Sequence, residues 1–562
     1  MAVLASLLVL VGTSSLAAAF LALLRGSLTG DAAALSVVFG TVLAFCSWRS
    51  SRSSSKPSLP RPAVLDVLAL VAFGVVSLRH FGSLYAERDG VIRTLSPNNY
   101  GDLPLHLTYI AYFVKGARFW PGNPIFTGES LHYPFGVDLF TAVLVKLGAP
   151  VEIVLPVIGL AGAAALAVAL FAWGRGFAVG AFLFSGGLAG FQLLRTGVLE
   201  DYQAGLAWKN LFLTLFVPQR GFLYALPAGL LLLWSWRRRL LKKEVGLPPL
   251  VEGLLWGALP LFHIHSFLFV SVVFAVWVAA QRALKAALPT FLWAVVPATW
   301  CVAQLTSPGR AASFVWLRPG WLIEKQDALV FLAVNFGFFL ALAAWAVAAA
   351  SKRRSREHLL LLVPALGSFA LLFFVMLAPA EWDNTKLMVW SYLLMLPALS
   401  ELILNPMRPA LRAASWAALF FSGMVCVAAS LRGQGFEVVR VAERDEVCQA
   451  VAALPADVRV ATTPTFNHPV ALCGQALVEG YGGHLWSHGI QYRAVDERLR
   501  GLMMGEADWR QRAKDLGAAY LFWGPREEGE FPGSRRPWES AAPVAAVTKG
   551  GWGSLYDLRA AR

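Results

Sequence analysis

The feature that most constrains this chain is a succession of apolar runs separated by short basic clusters. Each run is close to the ~20 residues that a helix needs to cross a bilayer. A helix satisfies its own backbone hydrogen bonds, which is why it is one of only two structures that can span lipid. Charged residues make up 15% of the chain and apolar residues 57%, whereas soluble domains carry about 25% charged residues. The expected fold class is therefore an α-helical polytopic membrane protein. About thirteen spans are expected: Ala5–Leu24, Ala32–Trp48, Val64–His80, Val151–Trp173, Phe177–Leu194, Gly221–Trp236, Pro249–Phe262, Phe267–Ala280, Leu288–Leu305, Ala328–Ala350, Leu359–Leu377, Leu387–Leu404 and Arg412–Leu431. The first run has no basic residue ahead of it and a second follows almost at once, so it reads as a retained helix and not a cleaved signal.

A formal charge of +14 would suit a nucleic-acid partner, but the distribution argues against one. Within residues 1–434 the basic residues gather at Arg49–Arg61, Arg237–Lys243 and Lys352–Arg356, between spans, as the positive-inside rule places them. Beyond Gly435 the charge is nearly balanced, leaving no basic patch for a polyanion. With a cytoplasmic amino terminus, alternation puts these clusters inside. It puts the polar loops around Asp102, Glu200–Asp201, Arg318 and Asp383 outside, together with the C-terminal region. The expected location is the cytoplasmic (inner) membrane, multi-pass.

Residues 435–562 change texture. FEVVRVAERDEVCQAVAALP reads as a strand start and an amphipathic helix, VRVATTPT as a strand running into a turn, and DWRQRAKDLGAAYLFWG as a helix before a buried strand. This alternation implies a small soluble α/β domain on the outer face. Of the five cysteines, Cys46, Cys301 and Cys426 lie in or beside spans as small apolar residues. Cys448 and Cys473 both fall in the outer domain, where a disulfide between them is plausible.

Polar chemistry is densest in Asn98–Asp138, within the large first external loop, residues 81–150. Leu105–Phe119 and Asp138–Leu147 read there as short interfacial helices. In GDLPLH, Asp102 precedes an apolar helix and shares a face with His106 four positions on. Asp102 is either the reactive carboxylate, with His106 beside it, or a helix cap with Pro104 in the first turn. His132 and Tyr133, in HYPFG, either line the same pocket or anchor the loop at the headgroups. Arg220, in VPQRGF, is a cation in an apolar stretch, which is costly and usually functional. It sits one helix length from the Arg237 cluster, suited to a lipid phosphate or to snorkelling. His263 and His265 diverge on a helix, so a structural role outweighs metal binding. EWDNTK packs Asp383, Asn384 and Lys386 into an outer loop, and Lys386 could meet an anionic leaving group.

In layout and in the motifs GDLPLH, HYPFG, VPQRGF and EWDNTK, the chain resembles the GT-C glycosyltransferases, the superfamily of the protein mannosyltransferases and lipid-A arabinosyltransferases. The resemblance implies transfer of a sugar from a polyprenyl-phosphate donor to an acceptor glycan, lipid or protein on the outer face, with Asp102 as the base that activates the acceptor. Many members carry two adjacent acids in this loop. Here the next acids, Glu129 and Asp138, are distant in sequence, which leaves a divalent metal possible and no cofactor specified. The partners implied are the lipid-linked sugar and membrane lipids. Two rival classes stand beside this reading: a lipid or polysaccharide transporter, whose key residues would cluster at mid-bilayer, and a non-catalytic scaffold. The topology predicts that a reporter fused after Arg562 is active on the outer side and a tag near Ser54 is cytoplasmic; a cytoplasmic carboxy terminus would contradict it.

Overall fold

The computed structural model describes residues 1–53, 62–306, 315–323, 326–378, 380–433 and 435–561. Parts of the basic loop Arg49–Arg61 and of the expected outer loop Thr306–Gln326, with Arg562, lie outside the described residues. The chain opens with helices α1 (Ala2–Arg25), α2 (Gly30–Ser53) and α3 (Val64–Gly82). The first external loop follows, with a hairpin of β1 (Ala86–Arg88) and β2 (Val91–Thr94) and the short helices α4 (Asp102–Lys115) and α5 (Gly136–Lys146). Next comes α6 (Val151–Leu183). Among the described residues eight helices are long and apolar enough to cross a membrane, or nine if a bent pair counts as one span. The side chains of Val38, Phe39, Val42 and Phe45 on α2 and of Leu288, Leu292 and Val296 on Leu284–Leu305 point outward and are exposed. Continuous apolar surface of this kind suits a lipid neighbour and not water. The innermost elements are Phe222–Trp236 and Asp383–Leu404, and 94% of the most apolar window of the latter is buried.

Several expected spans take a different form. Pro249–Phe262 is helical over the expected bounds and Gly221–Trp236 from Phe222 onward, at 14 and 15 residues, whereas the expected Leu359–Leu377 is the helix Arg356–Leu371. The expected break between Val151–Trp173 and Phe177–Leu194 is present: α6 leaves helical geometry at Gly174 and Arg175. Asp66 holds that break, accepting from Arg175 at 2.7 Å and from the Gly176 amide at 2.9 Å. Beyond it the helix ends at Leu183 instead of running to Leu194. Past the stop, glycines come close to their neighbours: a Cβ on Gly187 would lie 1.9 Å from the Val334 carbonyl, and one on Gly190 2.5 Å from the Ser422 backbone. Their bare backbones let this segment pack flush against its neighbours. Ala328–Ala350 is a pair of helices bent by 91° at Gly337, whose φ of 56° suits glycine. EWDNTK is helical, forming the first turns of Glu381–Leu399. Glu381 and Asp383 lie in the first turn, where negative charge is favoured by the helix dipole.

The C-terminal region is α/β, with the strand, helix and buried strand read from its sequence. The remaining strands are β3 (Trp316–Leu317), β4 (Val375–Met376), β5 (Phe436–Arg440), β6 (Val460–Ala461), β7 (Tyr520–Trp523), β8 (Val544–Val547) and β9 (Ser554–Asp557). A four-stranded sheet runs β6-β7-β9-β8, parallel between β6 and β7 and antiparallel elsewhere. Cys448 and Cys473 form a disulfide. The strand β5 pairs not with that sheet but with β2 of the first external loop. The two regions are joined further on: the Gly480 amide donates to the Ile125 carbonyl at 2.8 Å, and the Thr127 amide to Val478 at 2.9 Å. Arg459 donates to the carbonyls of Asn123 at 2.6 Å and Leu477 at 2.8 Å. Loop and C-terminal region thus form one continuous body over one end of the bundle. Arg459→Ala is expected to destabilise this junction by about 1.5–3 kcal/mol, the range for hydrogen bonds to charged groups. Faster proteolytic cleavage within residues 118–132 would report it, and unchanged protection would contradict the assignment.

Candidate active site

The site is assembled by helix starts. Gly101 stands at the cap of α4, so Asp102 is the first helical residue and not the cap. One turn on, the same face presents His106, whose Nδ1 lies 2.8 Å from Oδ2 of Asp138 in the first turn of α5. The other carboxylate oxygen of Asp138 accepts from Nε of Arg220 at 2.9 Å, and Nη2 of Arg220 donates to Thr141 at 2.7 Å. Side-chain exposure is 1% at His106, 2% at Asp138 and 3% at Arg220. Arg220 is therefore not an unpaired cation: it is paired with Asp138 inside the protein. Asp138, distant in sequence, is the acid that joins the loop to the bundle.

Beside this group lies a cavity of about 360 Å³, lined among others by His132, Tyr133, Gln219, His263, His265, Asp383, Lys386 and His488. Lys386 sits 2.5 Å from Asp383, half-sheltered at the mouth of the central helix. The His132 ring nitrogen Nδ1 meets the Leu305 carbonyl at 3.2 Å. Tyr133 packs against the His488 ring at 4.8 Å and the His106 ring at 6.2 Å. Nδ1 of His263 is engaged by Ser266 at 2.8 Å, while its buried Nε2 has no partner among the described residues. Buried and equally without a partner among the described residues are Nε2 of His106, Nη1 of Arg220 and the Tyr109 hydroxyl. Buried polar atoms in a native protein are normally satisfied, so this concentration marks a polar site.

The predicted residues separate into three groups. His132, Tyr133, Asp383 and Lys386 line the cavity. Asp102 and His106 stand next to it: burial raises the Asp102 carboxyl above its usual range, with Asp383 adding to the rise and His106 and Lys386 opposing it. Asn384 turns away, accepting from the Leu377 amide at 2.9 Å and donating to the Val375 carbonyl at 3.0 Å. It closes a turn and does not face the cavity. Asp138, Gln219 and His488 were not singled out by the sequence, and only Asp138 carried a signal, as an acid at a helix start in the same loop. His484, four residues before His488, is pushed down to about 3 by burial and then by the neighbouring His488 and His106, so it is neutral beside the site. Among the described residues no group of three or more His, Cys, Asp or Glu is arranged to hold a metal ion.

No family model matches the chain, and no curated protein does. Among solved structures the chain is similar to the archaeal oligosaccharyltransferase AglB from Archaeoglobus fulgidus, in complex with an inhibitory peptide and a dolichol-phosphate. That likeness has 13% identity and a TM-score of 0.42, and covers 82% of this chain and 69% of that one. The oligosaccharyltransferase of the same organism in its apo form gives 13% identity and a TM-score of 0.43, over 82% and 69% of the two chains. Its complex with zinc and sulfate gives 13% and 0.41, over 81% and 67%. At these scores the likeness assigns neither a residue nor an activity, and the site rests on its own geometry.

Removing one partner of a buried ion pair leaves the other charge uncompensated, at a cost of about 3–5 kcal/mol. Asp138→Asn is therefore expected to destabilise the protein by that amount in detergent, with part recovered when Arg220→Met is added. Wild-type stability in Asp138→Asn alone would contradict the pairing.

Proposed function

We propose that the protein is an integral membrane glycosyltransferase of the GT-C type. It transfers a sugar from a polyprenyl-phosphate donor to an acceptor on the outer face of the cytoplasmic membrane. The observation that carries this reading is the convergence of the Lys386–Asp383 pair, His132 and Tyr133 on one cavity, with Asp102 close enough to feel the charges of that pair. A transporter would place its key charges at mid-bilayer on broken helices, and this cluster lies at loop level.

In the proposed reaction the Asp102 carboxylate takes the proton of the acceptor hydroxyl. The acceptor oxygen attacks the anomeric carbon as the bond from that carbon to the phosphate oxygen breaks, and the electron pair leaves with the polyprenyl phosphate. Lys386 stabilises the departing phosphate electrostatically. Asp383 holds the ammonium in place and accepts from sugar hydroxyls. His132 and Tyr133 form the wall against which the sugar lies. A single displacement inverts the anomeric centre. His106 is held through Nδ1 by Asp138, and Arg220 acts through Asp138 as a positioning residue. Asn384 serves by shaping the turn that sets Lys386.

A positioned general base contributes about 10²–10⁴-fold. Asp102→Asn is therefore expected to lose transfer by that factor while still inserting and binding donor, whereas Lys386→Ala weakens donor binding. Because burial raises the Asp102 carboxyl, its base form is complete above the raised value and is lost as pH falls through it. The acid limb of the rate profile should lie above the ordinary carboxylate value of about 4. Near-normal turnover in Asp102→Asn would sink the assignment.

A further inference from the structure

A second cavity, of about 320 Å³, lies between the first external loop and the C-terminal region. Its walls are aliphatic, with Leu107, Ile110 and Val114 of α4 facing Val439 and Leu472, and Val151 at the start of α6 bordering it. The size is at the small end of ligand sites, about 300–1,000 Å³. Two cations reach this space, Lys115 and Arg444, and they differ. Arg444 is compensated, 2.7 Å from Asp445, and donates to the Tyr85 hydroxyl at 2.8 Å. Among the described residues Lys115 donates only to neutral oxygens, the Val451 carbonyl at 2.8 Å and Oε1 of Gln475 at 2.6 Å. Burial alone pulls the ammonium down to about 8, and no carboxylate opposes the fall. An ammonium has three donors, so one N–H remains unassigned. Lys115 is only half-buried, so its remaining N–H can meet an anion entering beside the aliphatic wall.

We propose that this crevice binds a single-chain anionic lipid, its apolar chain along α4 and its carboxylate or phosphate on Lys115. A neutral lipid would leave the ammonium uncompensated, and a hydrophilic anion would not use the aliphatic walls. Because Val151 opens the α6 span, the crevice lies where a bilayer lipid can enter it. The disulfide cysteines Cys448 and Cys473 line it as well, so the covalent link between these two segments supports one wall. This site is separate from the glycosyl-transfer cavity and does not depend on that reading.

The test uses the full chain in nanodiscs of neutral phosphatidylcholine, with a diazirine-bearing fatty acid and the matching fatty alcohol as probes. The acid should label peptides within residues 105–115 and 436–451, and the alcohol should label them about tenfold less or weaker still, as loss of a charge-assisted contact implies. Lys115→Gln should lose the difference between the probes and Lys115→Arg should keep it. Ile110→Trp, which fills the crevice without altering the charge, should lose labelling altogether. Suppression by lysophosphatidylglycerol or by free fatty acid identifies which single-chain anion occupies the crevice, whereas suppression by two-chain phosphatidylglycerol alone would overturn the proposal. Equal labelling by acid and alcohol, an unchanged preference in Lys115→Gln, or labelling confined to other peptides would overturn the proposal.

Discussion

The arrangement of the site depends on one buried carboxylate. Asp138 receives His106 from α4 on one oxygen and Arg220 from the entrance of Phe222–Trp236 on the other. It thereby clamps the first external loop onto a helix in the interior of the bundle. In a medium of low dielectric such a set is costly to assemble and more costly to break, so it holds the loop in a single position. That position brings Asp102 beside the Lys386–Asp383 pair, which stands on the other central helix. Close approach of backbones reinforces the clamp: a Cβ on Gly136 would lie 2.8 Å from the Phe262 ring, and one on Gly221 2.3 Å from the Phe262 carbonyl.

The C-terminal region is part of the same construction. It supplies β5 to complete the sheet with β1 and β2 and sends His488 onto Tyr133 at the cavity wall. A substrate in the cavity would therefore meet both the loop and the C-terminal region, which explains why the boundary near residue 435 is sharp in composition and blurred in contacts. At the other end of the bundle Arg237 pairs with Glu357 at 2.6 Å and Glu401 at 2.8 Å, and Arg239 with Glu252. The basic cluster after Phe222–Trp236 is thus partly internal structure as well as a topological signal.

Much of the architecture was legible because bilayer crossing writes length and apolarity into the sequence; α1, α2, α3 and Leu284–Leu305 appear close to where hydropathy puts them. Hydropathy does not register where a helix stops or bends, so the early end of α6 at Leu183 and the bend at Gly337 were invisible in it. The site was legible as types of residue but not as pairings. Asp102, Tyr133 and Lys386 could be picked out as polar groups in the wrong surroundings for a loop. That Arg220 is neutralised by an acid 82 residues earlier is a consequence of packing that no local pattern encodes. EWDNTK looked like a turn because Asp and Asn favour turns, and the same acids favour a helix start.

A sugar transferase of this design breaks a sugar–phosphate bond in the cavity beside Asp102. The most direct measurement is to give purified protein in nanodiscs a panel of polyprenyl-phosphate hexoses and pentoses and to follow the lipid. Release of free polyprenyl phosphate together with sugar leaving the lipid, absent in Asp102→Asn, is the predicted result. Movement of the intact lipid-linked sugar between leaflets with no bond cleavage, equal in both proteins, would contradict it.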